Sequence, residues 1–326
     1  MVDIVITWVN GDDIKWKESF EKYSFNSEGD KRVVRYRDWE LLKYWFRSVE
    51  KFAPWVRKIH FITEGHLPPW INKNAEKLNI VRHSDYISED NLPLFCSRAI
   101  EVNINKISEL SEKFIYFNDD FFILDKLNVD CFFKNDLPCD IAVLNAIDGD
   151  GVSDAIIENL KIINRYFKKR QVIAKNLNKW FNLKYGFKIL RTFLLLPWPN
   201  FTGFYDSHLP TPYLKSTFDQ IWNLEPCILT HTLKSKFRKP GTVNPYLFRY
   251  WQLVSGNFMP HNPTYYSKYF EIVDENIDEI VDVIINQKKK IIVLNDSSNI
   301  KDFNKCKNKL KSAFEIILPI KSQFEI

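Results

Sequence analysis

The stretch Phe114-Ile115-Tyr116-Phe117-Asn118-Asp119-Asp120-Phe121-Phe122 does most to limit what this chain can become. An apolar, aromatic run stops at one amide and two adjacent carboxylates, and then hydrophobicity resumes. Such a run reads as a strand buried on both faces, the habit of parallel sheets. An ionised carboxylate is not buried without a partner, so acids at that point call for a cation, a metal or a substrate. In open α/β sheets ligands gather at the carboxyl ends of the strands. Asp119 and Asp120 are therefore the first candidates for chemistry. The plainer reading is a strand-end turn that caps the next helix.

The flanking pattern fits a sheet of that kind. Strands are expected over Asp3–Val9, Lys58–Thr63, Leu78–Arg82, Phe114–Phe117, Ile141–Leu144 and Ile291–Leu294. Helical spacing of apolar residues covers Trp39–Phe52, with Pro54 as its stop, and Ser97–Ile107. Further helical patterns lie at Tyr213–Trp222, Cys227–Ser235, Tyr246–Val254 and Asn276–Gln287, with a last helix to Ile317. Strands alternating with helices imply an α/β fold on a mostly parallel, doubly wound sheet.

With 326 residues, of which 45% are hydrophobic, the chain can bury a large core. No apolar run reaches ~18–20 residues, so no membrane-spanning helix is expected. Met1 to Thr7 carries an early acid and no basic region, unlike a signal peptide. Five cysteines without a CxxC pair suggest reduced, structural thiols and a cytoplasmic protein. Charge is unevenly spread. Ten basic residues and no acid lie between Lys161 and Tyr205, more than the net +5 of the whole chain.

Four blocks, in order and spanning nearly the whole chain, carry a family resemblance. The first is Asp3-Ile4-Val5-Ile6-Thr7-Trp8-Val9-Asn10-Gly11-Asp12-Asp13. The second runs from Arg35-Tyr36-Arg37-Asp38 through Arg47-Ser48-Val49-Glu50-Lys51-Phe52-Ala53-Pro54-Trp55 to Phe114–Asp120. The third is His208-Leu209-Pro210 followed by Lys236-Phe237-Arg238, and the fourth is Leu294-Asn295-Asp296 with Phe314-Glu315 and Ser322-Gln323-Phe324-Glu325. Together they resemble the Stealth family of sugar-1-phosphate transferases, which build phosphodiester-linked bacterial surface polysaccharides and whose animal relative is N-acetylglucosamine-1-phosphotransferase.

The resemblance implies a nucleotide-sugar-transferase-like sheet, and the pattern along the chain divides it into three regions. Residues 1–155 would form the nucleotide-sugar-binding half, 156–205 a basic, aromatic helical insertion, and 206–326 the remainder completing the same active site. The resemblance implies transfer of a hexose-1-phosphate from a nucleotide sugar, a UDP-sugar foremost, to an acceptor hydroxyl on a glycan or lipid-linked oligosaccharide. The site it implies comprises Asp120 with Asp119, His208 and Arg238. Beside the nucleotide it would place the first-block turn, with Trp8, Asn10, Gly11 and Asp13; Arg35, Asp38, Arg47 and Asn118, and Asn295 and Asp296 at a second strand end, are further binding candidates.

The chemistry accommodates these residue types. A sugar hydroxyl needs a positioned base, worth roughly 10²–10⁴ in rate. His208 suits by its ordinary pKa, and Asp120 suits if Phe121 and Phe122 desolvate it. Arginines such as Arg238, Arg35 and Arg47 would offset phosphoryl charge. Adjacent carboxylates with a diphosphate suit Mg²⁺ or Mn²⁺, with Asp119 and Asp120 as ligands, provided that the chain turns there. Structural readings stand beside these. His208 fits a purely structural role, Arg47 a surface pair with Glu50, and Arg35, Arg37 and Asp38 helix capping. Asn295-Asp296 fits a turn. His60 reads as a satisfied core histidine, and His231 and His261 lack ligand spacing for zinc.

The basic segment Lys161–Arg191, with aromatics interleaved and Leu194-Leu195-Leu196-Pro197-Trp198 behind it, suits docking at an anionic membrane surface, peripheral at the inner face of the plasma membrane. A track for a polyanionic chain and a solvated helical face are the other readings. No motif accompanies the charge that would suggest nucleic acid. A conventional glycosyltransferase releasing the nucleoside diphosphate, and a non-catalytic polysaccharide-binding protein, are the competing functions.

Overall fold

The computed structural model describes residues 1–25, 29, 36–149 and 152–326. The chain runs β1 (Asp3–Thr7), α1 (Ile14–Ser24), α2 (Leu42–Phe52), β2 (Ile59–Thr63), β3 (Leu78–Arg82), α3 (Ser97–Glu101) and β4 (Lys113–Phe117). Next come β5 (Phe121–Ile123), β6 (Phe133–Lys134), β7 (Leu137–Asp140), then α4 (Ser153–Tyr166), α5 (Lys169–Lys175), α6 (Leu177–Trp180) and α7 (Ile189–Leu195). The last third holds β8 (Thr211–Leu214), α8 (Lys215–Leu224), α9 (Pro226–Leu233), α10 (Tyr246–Ser255), β9 (Met259–Pro260), β10 (Ser267–Glu271), α11 (Ile277–Ile285), β11 (Ile291–Asn295) and α12 (Phe303–Ile317).

The main sheet has the order β3-β2-β1-β4-β8. Its first four strands are parallel and β8 runs antiparallel at the edge. Alternation along β1 divides the core: Ile4 and Ile6 face the cluster containing α2, α11 and α12, whereas Val5 faces the one containing α3 and α8–α10. Both faces are thus covered, as an α/β sheet of this kind requires.

At Asn118-Asp119-Asp120 the chain leaves this sheet. The Phe121 N–H donates to the Asn118 carbonyl at 3.3 Å, closing a turn. Strand β5 then joins a second sheet, antiparallel to β11, which pairs with β10. The Leu294 N–H donates to the Asp120 carbonyl at 2.9 Å and stitches the corner to β11. The turn that the sequence required for two adjacent acids to point into one place is present.

Three local expectations are corrected. Residues 141–144 form no strand of their own; β7 ends at Asp140, and the buried apolar run that follows makes only a bridge from Leu144 to Phe204. Burial alone gave it a strand's signature. Tyr213 and Leu214 belong to β8, which tolerates Pro212 because it is an edge strand, and the helix begins at Lys215. Helix α3 stops at Glu101, where Asn103 turns its amide back to the Ala99 carbonyl at 3.1 Å.

The basic segment is helical through α4–α7, and it is built into the core. Leu160, Ile163, Trp180 and Tyr185 share one apolar cluster with Val5 and Phe114. His60 is buried between Asp3 (3.1 Å) and Asn79 (2.9 Å), a satisfied core histidine. No helix among the described residues is long and apolar enough to cross a membrane.

Candidate active site

The carboxyl ends of β1, β4 and β11 open on one cavity of about 750 Å³. Of the residues singled out from sequence, Trp8, Asp38, Asn118, Asp119, Asp120, His208, Arg238, Asn295 and Asp296 line it. They come from six separate stretches of chain.

The two acids sit at its floor. Asp120 is partly buried, its Oδ1 is shielded with no hydrogen-bond partner among the described residues, and burial, reinforced by the neighbouring Asp119 charge, pushes its carboxyl well above the usual range. Asp119 touches the open space of the cleft, yet the surrounding protein raises its carboxyl to about 6, with the Asp38 charge adding to the effect. Desolvation lifts Asp38 as well. Three acids share one cavity in environments that all disfavour the ionised form, a place that favours a cation or the donors of a bound ligand.

His208 lies just before β8, with a backbone φ of +49°. A histidine in the left-handed region is uncommon and is held there by what surrounds it. Its ring meets Phe121 and Tyr269 edge-on, with centroids 5.4 and 5.6 Å apart. Burial, then the positive charge of Arg238, pushes its pKa below the ordinary value, so the neutral imidazole is favoured. The loop before it is clamped. Arg249 holds Asp140 through two nitrogens at 2.8 and 2.9 Å, pairs with Asp206, and donates to the Tyr205 carbonyl at 3.0 Å.

Arg238 donates to Ser97 Oγ at 2.7 Å, at the start of α3. Beneath it lies Glu101, buried, accepting from the Tyr116 hydroxyl at 2.8 Å; Tyr116 in turn meets Thr7 Oγ1 at 2.9 Å. Burial raises the Glu101 carboxyl, while Tyr116, Arg238 and Ser97 oppose the shift. The sequence alone gave neither Ser97 nor Glu101 a role. Nothing local marks a helical Glu as a support for an arginine more than a hundred residues away.

At the far rim Arg37 grips Asp296, with Nε 2.8 Å from Oδ2, and donates to the Ser297 carbonyl at 3.1 Å. Its guanidinium lies 4.3 Å from the Phe303 ring centre. The capping reading of Arg37 and Asp38 is overturned: α2 has no side-chain cap, and Asp38 instead accepts from the Glu40 N–H at 2.8 Å. At the opposite end, beside β1–β3, Trp8 stacks on Phe61, and Glu64 and His83 face each other at 2.5 Å. Both line the cavity, and the sequence reading gave neither a role of its own.

Several expected residues do not line the cavity. Asn10, Gly11 and Asp13 build the turn beside it. The Asn10 N–H donates to His66 Nε2 at 2.8 Å, and Asp13 caps α1 through the Trp16 N–H at 2.9 Å. The Gly11 N–H donates to the Tyr36 carbonyl at 3.2 Å, and a Cβ at Gly11 would lie 2.2 Å from that oxygen, so only glycine lets the segment before α2 approach. Arg47 is corrected outright. It is buried on α2 and binds Glu325 through two nitrogens at 2.8 Å, with Nη1 donating to the Leu318 carbonyl at 2.7 Å. Glu50, the expected partner, bonds Gln323 instead. Arg35 lies outside the described residues.

Comparison with known family models matches the first two of the four blocks. Residues 2–28 match Stealth protein CR1, conserved region 1, and residues 35–140 match Stealth protein CR2, conserved region 2. The chain is 42% identical over 99% of its length to the capsular polysaccharide phosphotransferase WcwK of Streptococcus pneumoniae, covering 98% of that protein. It is 38% identical to the exopolysaccharide phosphotransferase cps2G of Lactiplantibacillus plantarum, over 99% of this chain and 96% of that one. It is 37% identical to the receptor polysaccharide phosphotransferase WefC of Streptococcus gordonii, over 100% and 99%. Among solved structures, the galactosyltransferase LgtC with donor and acceptor sugar analogs aligns over 95% of both chains with a TM-score of 0.40 and 10% identity, too distant a likeness to argue from.

Proposed function

The chain belongs to the Stealth family of polysaccharide phosphotransferases, and from that premise we propose that it transfers a hexose-1-phosphate or N-acetylhexosamine-1-phosphate from a nucleotide sugar to a glycan hydroxyl, in capsular or other cell-surface polysaccharide synthesis. The donor we favour is a UDP-sugar and the acceptor a glycan or lipid-linked oligosaccharide. The observation that carries this reading is the single cavity onto which Asp119, Asp120, His208 and Arg238 all open.

In the proposed reaction the acceptor oxygen forms a bond to the phosphorus next to the sugar. The bond from that phosphorus to the oxygen bridging the two phosphates breaks, and the nucleoside monophosphate leaves with the electron pair. The anomeric bond is untouched. His208, kept neutral by burial and by Arg238, takes the acceptor proton on its imidazole nitrogen. Asp120, with its raised carboxyl, is the alternative base. Arg238, anchored on Ser97, faces the phosphoryl oxygens as they gather charge. Trp8, Glu64 and His83, at the carboxyl ends of β1–β3, suit the nucleoside end.

A divalent cation fits the acids. The unpartnered Oδ1 of Asp120 and the carboxylate of Asp119 are hard oxygen donors on one turn, suited to Mg²⁺ or Mn²⁺. No three His, Cys, Asp or Glu residues among those described group closely enough to enclose an ion, so water and diphosphate oxygens would complete the shell, as Mg²⁺ prefers. Bound there, such an ion would neutralise diphosphate charge.

The test is a nucleotide sugar labelled separately at each phosphorus, with products read by mass spectrometry. The β-phosphorus should appear in the glycan product and the nucleoside monophosphate should be released. Release of the nucleoside diphosphate would instead identify a conventional glycosyltransferase.

A further inference from the structure

The feature that the reaction leaves unused is the surface of residues 183–198. Leu183 is 92% exposed, Phe187 91%, Leu194 73%, Leu190 55% and Trp198 52%. Scattered apolar residues on a surface are ordinary, but a run of large ones this exposed marks a contact. Leu190 and Leu194 are four residues apart on α7 and Phe193 three from Leu190, so these share a side; Phe187 lies in the segment just before the helix. The opposite side is fixed to the core: Thr192 is fully buried and its Oγ1 accepts from the Leu144 N–H at 3.1 Å. Gly186, at φ +56°, makes the bend that sends Tyr185 inward (1% exposed) and Phe187 outward; a Cβ there would lie 2.7 Å from the Tyr265 hydroxyl. The apolar side chains are held out on a rigid base.

The charge around them selects the partner. Of the ten basic residues in the segment, Lys161 and Arg165 pair with Glu158 and Glu225, and among the described residues no other has an acidic partner. Lys179, Lys184, Lys188 and Arg191 donate only to carbonyls, a hydroxyl and an amide, which leave their charge uncompensated. A second copy meeting this face symmetrically would bring cation against cation. An apolar wedge rimmed by Lys and Arg matches an anionic lipid surface.

We propose that residues 183–198 form a membrane-docking face, with Leu183, Phe187, Leu190, Leu194 and Trp198 entering the headgroup–acyl boundary of an anionic leaflet. The proposal does not depend on the reaction at the cleft. Its test is co-sedimentation of the full chain with phosphatidylcholine vesicles containing about 30% phosphatidylglycerol, against phosphatidylcholine alone. Wild type should partition onto the anionic vesicles, and Leu183→Ser/Phe187→Ser/Leu194→Ser should bind them at least ~10-fold more weakly with an unchanged thermal midpoint. The proposal is overturned if wild type ignores the anionic vesicles, or if the triple variant binds them equally. A dimer in gel filtration that the triple variant abolishes, without vesicle binding, would make the face an interface between copies and overturn it as well.

Discussion

Arg238 donates to the Ser97 hydroxyl at 2.7 Å, fastening a residue from the last third of the chain to the first turn of α3. The anchor leaves an oriented donor on the cavity wall. Arg238→Ala is expected to lower kcat by ~10²–10³, the usual cost of removing one such donor. Ser97→Ala should lower it less, with thermal midpoints near wild type. Steady-state kinetics on both variants checks this, and an Arg238→Ala enzyme with near-normal turnover would remove the arginine from the mechanism.

The depressed pKa of His208 sets a pH dependence. A base acts when unprotonated, so kcat/KM should fall on the acid side only below the ordinary imidazole value of ~6.5. Taking away the Arg238 charge favours the imidazolium, so residual activity of Arg238→Met should show its acid limb at higher pH than wild type. An unmoved limb would separate the two residues. A His208→Ala enzyme that keeps the wild-type rate and profile would transfer the role to Asp120.

Cation dependence is directly measurable. EDTA should abolish turnover and Mg²⁺ or Mn²⁺ should restore it. Mn²⁺ binding in the presence of a nucleoside diphosphate, followed by paramagnetic resonance, should weaken sharply in Asp119→Ala and Asp120→Ala. Full activity in EDTA would leave the acids to other work.

Much of this site was legible because buried strands and acids are rarely neighbours. The run ending in Asp119-Asp120 announced both the strand and the cleft, and β11 ended in Asn295-Asp296 in the same way. The partnerships were hidden. Arg37 and Asp296 are 259 positions apart, and Arg47 meets Glu325 across 278. Local reasoning offered Arg47 the nearest acid on its own helix, Glu50, when burial required a carboxylate that is itself buried. The strand at Thr211–Leu214 escaped notice because four residues beside a helix carry too little period to declare themselves.

The Arg47–Glu325 pair yields a stability prediction. Both side chains are buried, at 6% and 4% exposure, and Arg47 holds the Glu325 carboxyl below its usual range. Glu325→Gln should cost ~3–5 kcal/mol at neutral pH by leaving the guanidinium buried and uncompensated. A carboxylate with a lowered pKa stabilises above the unfolded value of ~4.3 and stops doing so as pH falls through the folded value. The difference between variant and wild type should therefore shrink below about pH 4 in urea titrations. A constant difference would mean packing, not charge.

Arg37 and Asp296 act as one unit at the rim. Arg37→Ala, Asp296→Asn and the double variant should show kinetic costs that do not add, the double being little worse than either single change. Additive costs would dissolve the pair.

The corner at Asn118–Asp120 joins the two sheets. The turn that carries the acids follows a strand of one sheet, precedes a strand of the other, and is bonded to β11 through the Leu294 N–H. Where the two acids stand in the cleft therefore depends on how the small sheet is seated against the large one.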